Sequence, residues 1–355
     1  MKILITGGHV TPALAVIDEI KNHEIVFVGR QFALSNENTE SFEYKEITAR
    51  GIRFINLVTG RLNRSFTLEA LRSLLLIPRG FFRAEQIIRA EKPDIVLSFG
   101  SYLAVPIAFW AHRNKIPVFT HEQTIQPGLA NRLISRWAKK VFISFPQSRQ
   151  FFPAEKVVQT GNPVRKSILK VAEKPFHIPK KKPVVYITGG SLGSHSINMH
   201  VKSILDELKK EFFVIHQTGD TKTYNDYDRL AKYADESYMV RKHVGAKELA
   251  YIYDESDIVV CRAGANTVFE LIAMSKPSIF IPLPWSGHDE QRKQAKLLKD
   301  AHVALIFEQS RPSIELLDCI RTMAGDVKQY SDFSKLKTLT TEDASRRIYE
   351  EILKA

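Results

Sequence analysis

The chain has 355 residues, 44% hydrophobic and 25% charged, which excludes a disordered, collagen-like or coiled-coil chain as a global description. At roughly 100–200 residues per domain, two or three domains are predicted, each long enough to bury a core. Fifty-one basic against 39 acidic side chains give a formal charge of +12, favouring anionic partners, and the two cysteines, Cys261 and Cys319, cannot build a disulfide framework or a cysteine zinc site.

The opening Met1-Lys2-Ile3-Leu4-Ile5 runs straight into Thr6-Gly7-Gly8, too short an apolar run for a cleavable leader, so a cytoplasmic protein is expected. Residues 2–5, 24–28, 94–98, 118–120 and 141–144 read as buried strands. Residues 12–21, 68–90, 103–113 and 129–138 read as helices between them, a rhythm that predicts a parallel sheet with crossover helices. The uncharged stretch 95–111 approaches the length of about 18 residues that a membrane span needs. Ser98-Phe99-Gly100-Ser101-Tyr102 and Pro106 interrupt it, so a strand, a glycine turn and a helix are predicted instead.

The lysine- and proline-rich segment 163–182 reads as a connector, after which the rhythm restarts. Further strands are predicted at 183–187, 212–216, 238–241, 258–261 and 278–281, with helices at about 196–210, 265–274 and 290–299. The expected class is α/β: two doubly wound Rossmann-like domains facing a cleft, 1–162 and 163–340. A last helix within 341–355, starting near Thr341, is expected to complete the first domain.

Three turns carry the chemistry. Thr6-Gly7-Gly8-His9-Val10-Thr11-Pro12 joins the first strand to a helix whose free amides attract phosphate, and His9 projects at that carboxyl edge. Thr188-Gly189-Gly190-Ser191-Leu192-Gly193 resembles a phosphate cradle, but it lacks the dinucleotide spacing and the P-loop lysine. Cys261-Arg262-Ala263-Gly264-Ala265-Asn266-Thr267-Val268-Phe269-Glu270 opens another helix, and a carboxylate at Glu270 suits a ribose diol.

Read together, Gly7-Gly8-His9-Val10-x-Pro12-Ala13, His121-Glu122-Gln123, Gly161-Asn162-Pro163-Val164-Arg165, Gly189-Gly190-Ser191-x-Gly193 and Arg262-x-Gly264-Ala265-x-Thr267-x-x-Glu270 resemble the MurG family, from residue 2 to about 310. These are the N-acetylglucosaminyltransferases that complete lipid II, with a two-domain GT-B fold. The resemblance implies UDP-N-acetylglucosamine in the C-terminal half. Arg165 and Ser191 would lie near the phosphates, Ala265 and Thr267 toward the nucleotide, Glu270 on the ribose and Gln291 on the sugar. It implies undecaprenyl-linked lipid I in the N-terminal half, with Thr6, Gly7, Gly8 and His9 near its diphosphate or reacting hydroxyl, and His121, Gln123 and Thr124 lining the cleft.

Three departures stand out. The family's extra glycine pair before the first turn is missing, Thr124 replaces an asparagine, and Gln294 stands where the family has Asn.

The expected reaction is inverting and metal-independent, with no cofactor. His9 is the expected general base, since histidine titrates near working pH, and Glu122 is the reserve. Asp226-Tyr227-Asp228 is read as a solvated face rather than a metal site. Residues 71–83 interleave apolar side chains with arginines, so Leu74, Leu75, Arg79, Phe81, Phe82 and Arg83 are expected at an anionic membrane surface. A peripheral enzyme on the cytoplasmic face of the membrane follows. No helix-turn-helix, zinc-finger or RNP pattern accompanies the charge, so no nucleic-acid partner is expected. The alternatives are a GT-B enzyme using another lipid acceptor, such as diacylglycerol, and a catalytically silent nucleotide-sugar-binding protein.

Overall fold

The computed structural model describes residues 1–32, 40–60, 68–179, 181–220, 223–337, 339 and 343–354. The chain forms two compact units, one of residues 1–163 with 343–355 and one of residues 164–342.

The first unit runs β1 (Lys2–Thr6), α1 (Val10–Ile17), β2 (Glu24–Gly29), α2 (Phe42–Ala49), β3 (Arg53–Asn56), α3 (Leu68–Glu91), β4 (Ile95–Ser98), α4 (Ala104–Arg113), β5 (Val118–Glu122), α5 (Leu129–Trp137), β6 (Lys140–Ile143) and β7 (Val157–Gln159). Its seven strands are all parallel, in the order β3-β2-β1-β4-β5-β6-β7. Helices cover both faces, so the strands are apolar runs: Ile3, Leu4 and Ile5 are wholly buried. Ile3 and Ile5 pack with Leu14 and Phe119 on one face, while Leu4 packs with Ile88 and Ile107 on the other.

The second unit runs α6 (Lys166–Leu169), β8 (Val184–Thr188), α7 (His195–Ser203), α8 (Leu205–Glu211), β9 (Phe213–Gln217), α9 (Asp226–Leu230), β10 (Tyr238–Arg241), α10 (Ala246–Glu255), β11 (Ile258–Cys261), α11 (Ala265–Ala273), β12 (Ser278–Phe280), α12 (Glu290–Asp300), β13 (Ala304–Ile306) and α13 (Ser313–Gly325). Its sheet is also parallel, ordered β10-β9-β8-β11-β12-β13. α14 (Ala344–Leu353) then returns to the first unit, where Ile348 and Ile352 enter the same cluster as Leu14 and Ile17. Thr341, the expected start of that helix, lies outside the described residues.

The single helix expected over 196–210 is two, because Ile204 leaves the helical conformation (φ −121°, ψ 15°) between α7 and α8. Both sheets reverse strand order beside their first strand, between β1 and β4 and between β8 and β11. The crevice at such a switch point is where open α/β sheets take ligands. The turns carrying Gly7–His9 and Phe99–Gly100 therefore meet at one such edge. The turns at 189–193 and 262–264 meet at the other.

Candidate functional site

In the first unit, the loop after β4 crosses the first glycine turn. His9 N donates to Phe99 O (3.2 Å), and a Cβ on Gly8 would sit 2.8 Å from the carbonyl oxygens of Phe99 and Gly100, so only glycine fits. No side chain caps α1 and its first turn holds no acid, which leaves its leading amides open to an anion.

His9 is half-buried, with Nδ1 2.6 Å from Gln123 Nε2. Burial pulls its pKa down, opposed by the charge of Glu122. Glu122 ends β5, only 2% exposed. Its Oε1 accepts from Thr124 N (2.9 Å) and Thr124 Oγ1 (2.6 Å), and its Oε2 from Asn131 Nδ2 (2.9 Å). This differs from the expected reserve base: the carboxylate anchors its own loop and reaches His9 through charge. Thr124 faces inward as part of that anchor.

His121 also lies inward. It is buried against Phe99, with Nε2 3.1 Å from Ser144 Oγ, and burial holds its pKa at about 3. Thr6 is wholly buried and its Oγ1 has no partner among the described residues. A Cβ on Gly7 would run into the carboxylate of Glu43, which accepts from Arg30 N and whose pKa burial raises. Sequence reasoning missed Glu43 because it lies on α2 outside any glycine motif. It missed Asn131, which knots Thr120, His121 and Glu122 together.

In the second unit, Gly193 (φ +77°) lies so close to the Thr218 carbonyl that a Cβ would overlap it. Ser191 is exposed at the tip of that turn. Arg262 joins this turn to the next: its Nη2 donates to Ser194 Oγ (2.7 Å) and Ser196 Oγ (2.8 Å), and its Nη1 to Ile281 O (2.8 Å). The sequence motif contained Arg262 but gave no reason to single it out.

α11 begins at Ala265 with a glycine N-cap and no acid in its first turn, so its leading amides are uncapped. Ala265 is buried and Thr267 half-buried there. Glu270 is buried one turn on, its Oε1 3.4 Å from Arg165 Nη2 and its Oε2 accepting from Tyr253 Oη (3.3 Å). Burial raises its pKa against the pull of Arg165. Arg165 and Glu270, expected on different parts of one ligand, thus form a pair. Gln291 accepts from Leu283 N (3.0 Å), and Gln294 is buried with Nε2 donating to Glu290 Oε1 (3.0 Å).

Asp226 corrects the solvated-face reading. It is buried because α9 turns it onto α7, where its carboxylate meets His195 Nδ1 (2.9 Å) and accepts from Asn198 Nδ2 (2.8 Å). Among the described residues no group of three His, Cys, Asp or Glu is arranged to hold a metal.

On α3, Leu75 is 73% and Phe82 62% exposed, with Leu74, Arg79 and Arg83 exposed beside them. Phe81 differs from the expected surface set, lying half-buried edge-on to Phe109. The side chains of Leu71 and Arg72 lie outside the described residues. No described helix is long and apolar enough to cross a membrane.

The glycosyltransferase family 28 N-terminal domain matches residues 6–143 and the family's C-terminal domain residues 184–348. A UDP-N-acetylglucosamine--N-acetylmuramyl-(pentapeptide) pyrophosphoryl-undecaprenol N-acetylglucosamine transferase of Clostridium kluyveri is 33% identical, over 98% of this chain and 97% of its own. The same-named enzyme of Acetivibrio thermocellus is 35% identical, over 99% and 97%. Among solved structures, MurG of Acinetobacter baumannii superposes with a TM-score of 0.73 at 25% identity, over the whole of both chains. The two parallel-sheet units have the GT-B fold, and with both family 28 domains in order and such likeness along nearly its full length, the chain belongs to the MurG family.

Proposed function

We propose that this enzyme transfers N-acetylglucosamine from UDP-N-acetylglucosamine to the C4 hydroxyl of the muramoyl residue of undecaprenyl-linked lipid I, giving lipid II with an inverted, β-1,4 linkage in peptidoglycan synthesis. The observation that carries this reading is likeness to enzymes of that name over 97% of their own length, which includes both halves of the fold. The acceptor hydroxyl attacks the anomeric carbon as the bond to UDP breaks. Its proton passes to His9, and the charge gathering on the diphosphate meets the open amides of α11, with the exposed Ser191 turn beside them. Arg165 and Glu270, with Thr267 and Gln291, hold the donor. Gly7, Gly8 and Gln123 flank the acceptor.

The enzyme works without a metal and sits on the cytoplasmic face of the membrane through α3. Radiolabelled UDP-N-acetylglucosamine incubated with the purified protein and either a lipid I analogue or diacylglycerol tests the assignment, with and without a chelator. Label in the lipid I product alone, undiminished by chelation, is expected. Label in diacylglycerol, or in neither lipid, overturns the acceptor assignment.

A further inference from the structure

His9 and Gln123 touch at 2.6 Å through Nδ1 and the side-chain amide. Which end of that amide faces the ring decides which ring nitrogen carries the proton. With the amide nitrogen toward it, Nδ1 must accept, the proton sits on Nε2, and His9 has no lone pair to offer a hydroxyl. With Oε1 toward it, Nδ1–H donates and Nε2 is open.

Nothing on the far side of Gln123 fixes the first arrangement, because Oε1 is buried there with no partner among the described residues. Only the second survives proton transfer. An imidazolium carries N–H at both nitrogens and would set N–H against N–H in the first arrangement, whereas Nδ1–H to Oε1 holds before and after.

We propose that Gln123 is a positioning residue that presents Oε1 to Nδ1–H of His9 and so selects the tautomer whose Nε2 takes the acceptor proton. The step balances: Nδ1–H stays on Gln123, the hydroxyl proton moves to Nε2, the new C1–O4 bond forms, and the broken C1–O bond leaves its electron pair on UDP. The titratable groups beside His9 are Glu122 and His121 on β5, with Glu43 against the neighbouring Gly7. Glu122 favours the imidazolium that forms.

The inference rests on His9 being the base, and the test separates the two. Ring-¹⁵N-labelled histidine spectra at neutral pH, with His9 assigned by its loss in His9→Ala, read the tautomer without turnover. The wild-type ring is expected as Nδ1–H, moving toward Nε2–H in Gln123→Met. Turnover of Gln123→Met is expected to fall on the order of 10²-fold, the lower end of what a general base supplies. Gln123→Glu, which still accepts from Nδ1–H, should restore much of it with the acidic limb of the pH profile moved up. An Nε2–H ring in the wild type, or a tautomer unmoved by Gln123→Met, overturns the proposal even if His9→Ala is inactive. A Gln123-dependent tautomer with an active His9→Ala keeps the proposal about the ring and removes the base instead.

Discussion

His9 and Glu270 make opposite demands on their surroundings, and their variants should separate cleanly. His9 is kept neutral by burial, so His9→Ala should lower turnover by about 10²–10⁴-fold while UDP-N-acetylglucosamine affinity stays near wild type. Steady-state kinetics paired with donor titration checks this, and near-normal turnover would return His9 to a turn residue. Glu270→Ala removes a buried carboxylate and leaves Arg165 without its pair, so donor affinity should fall by on the order of 1.5–3 kcal/mol. Calorimetric titration with UDP showing no change would end the donor role of Glu270. The motif residues were legible because glycine turns after apolar strands are rare and local. Asn131, Glu43 and Tyr253 were not, since each takes its role from a partner on another element that only the fold brings beside it. The inward turn of Glu122 was hidden for the same reason: its three donors lie two and nine residues further on.

At the element scale, the central strands could be read because both faces of a parallel sheet are covered, which makes β1, β4 and β8 continuous apolar runs. The edges escaped. β3 is Arg-Phe-Ile-Asn and only partly buried, and β7 and β13 have three residues each, too few to show a period. The break at Ile204 carries no glycine or proline to announce it. α3 is the element with most at stake, since Leu75 and Phe82 stand in the open on a helix that also displays Arg79 and Arg83. Replacing Arg79 and Arg83 by serine should weaken co-sedimentation with anionic liposomes by about 1 kcal/mol per cation, with less effect at high salt. Unchanged sedimentation at low salt would make those arginines irrelevant to docking.

Across the whole molecule, each unit holds a histidine kept neutral inside: His121 in the first and His216 in the second, both at a pKa of about 3. An unfolded histidine titrates near 6.5, so the unfolded chain takes up protons that the folded one refuses. The stability these residues contribute is therefore fully present above about pH 6.5 and drains away as pH falls toward 3, by up to about 1.4 kcal/mol per pH unit for each. Denaturant unfolding at pH 7 and pH 5 reads that slope, and equal stabilities would refute it.

The return of α14 has a consequence for the order in which the protein is made. Chain synthesis delivers every strand of the second unit before Ile348 and Ile352 exist, although the first unit began emerging long before. Until that helix emerges, one face of the first unit's sheet lacks the two isoleucines that complete its cluster with Leu14 and Ile17. Each buried isoleucine stabilises by on the order of 1.5–3 kcal/mol, enough for the pair to decide whether that unit holds. A chain stopped at residue 342 should bind UDP normally yet lose protease resistance across residues 1–163. Equal resistance in the full and shortened chains would show that the early half needs no help from the late one.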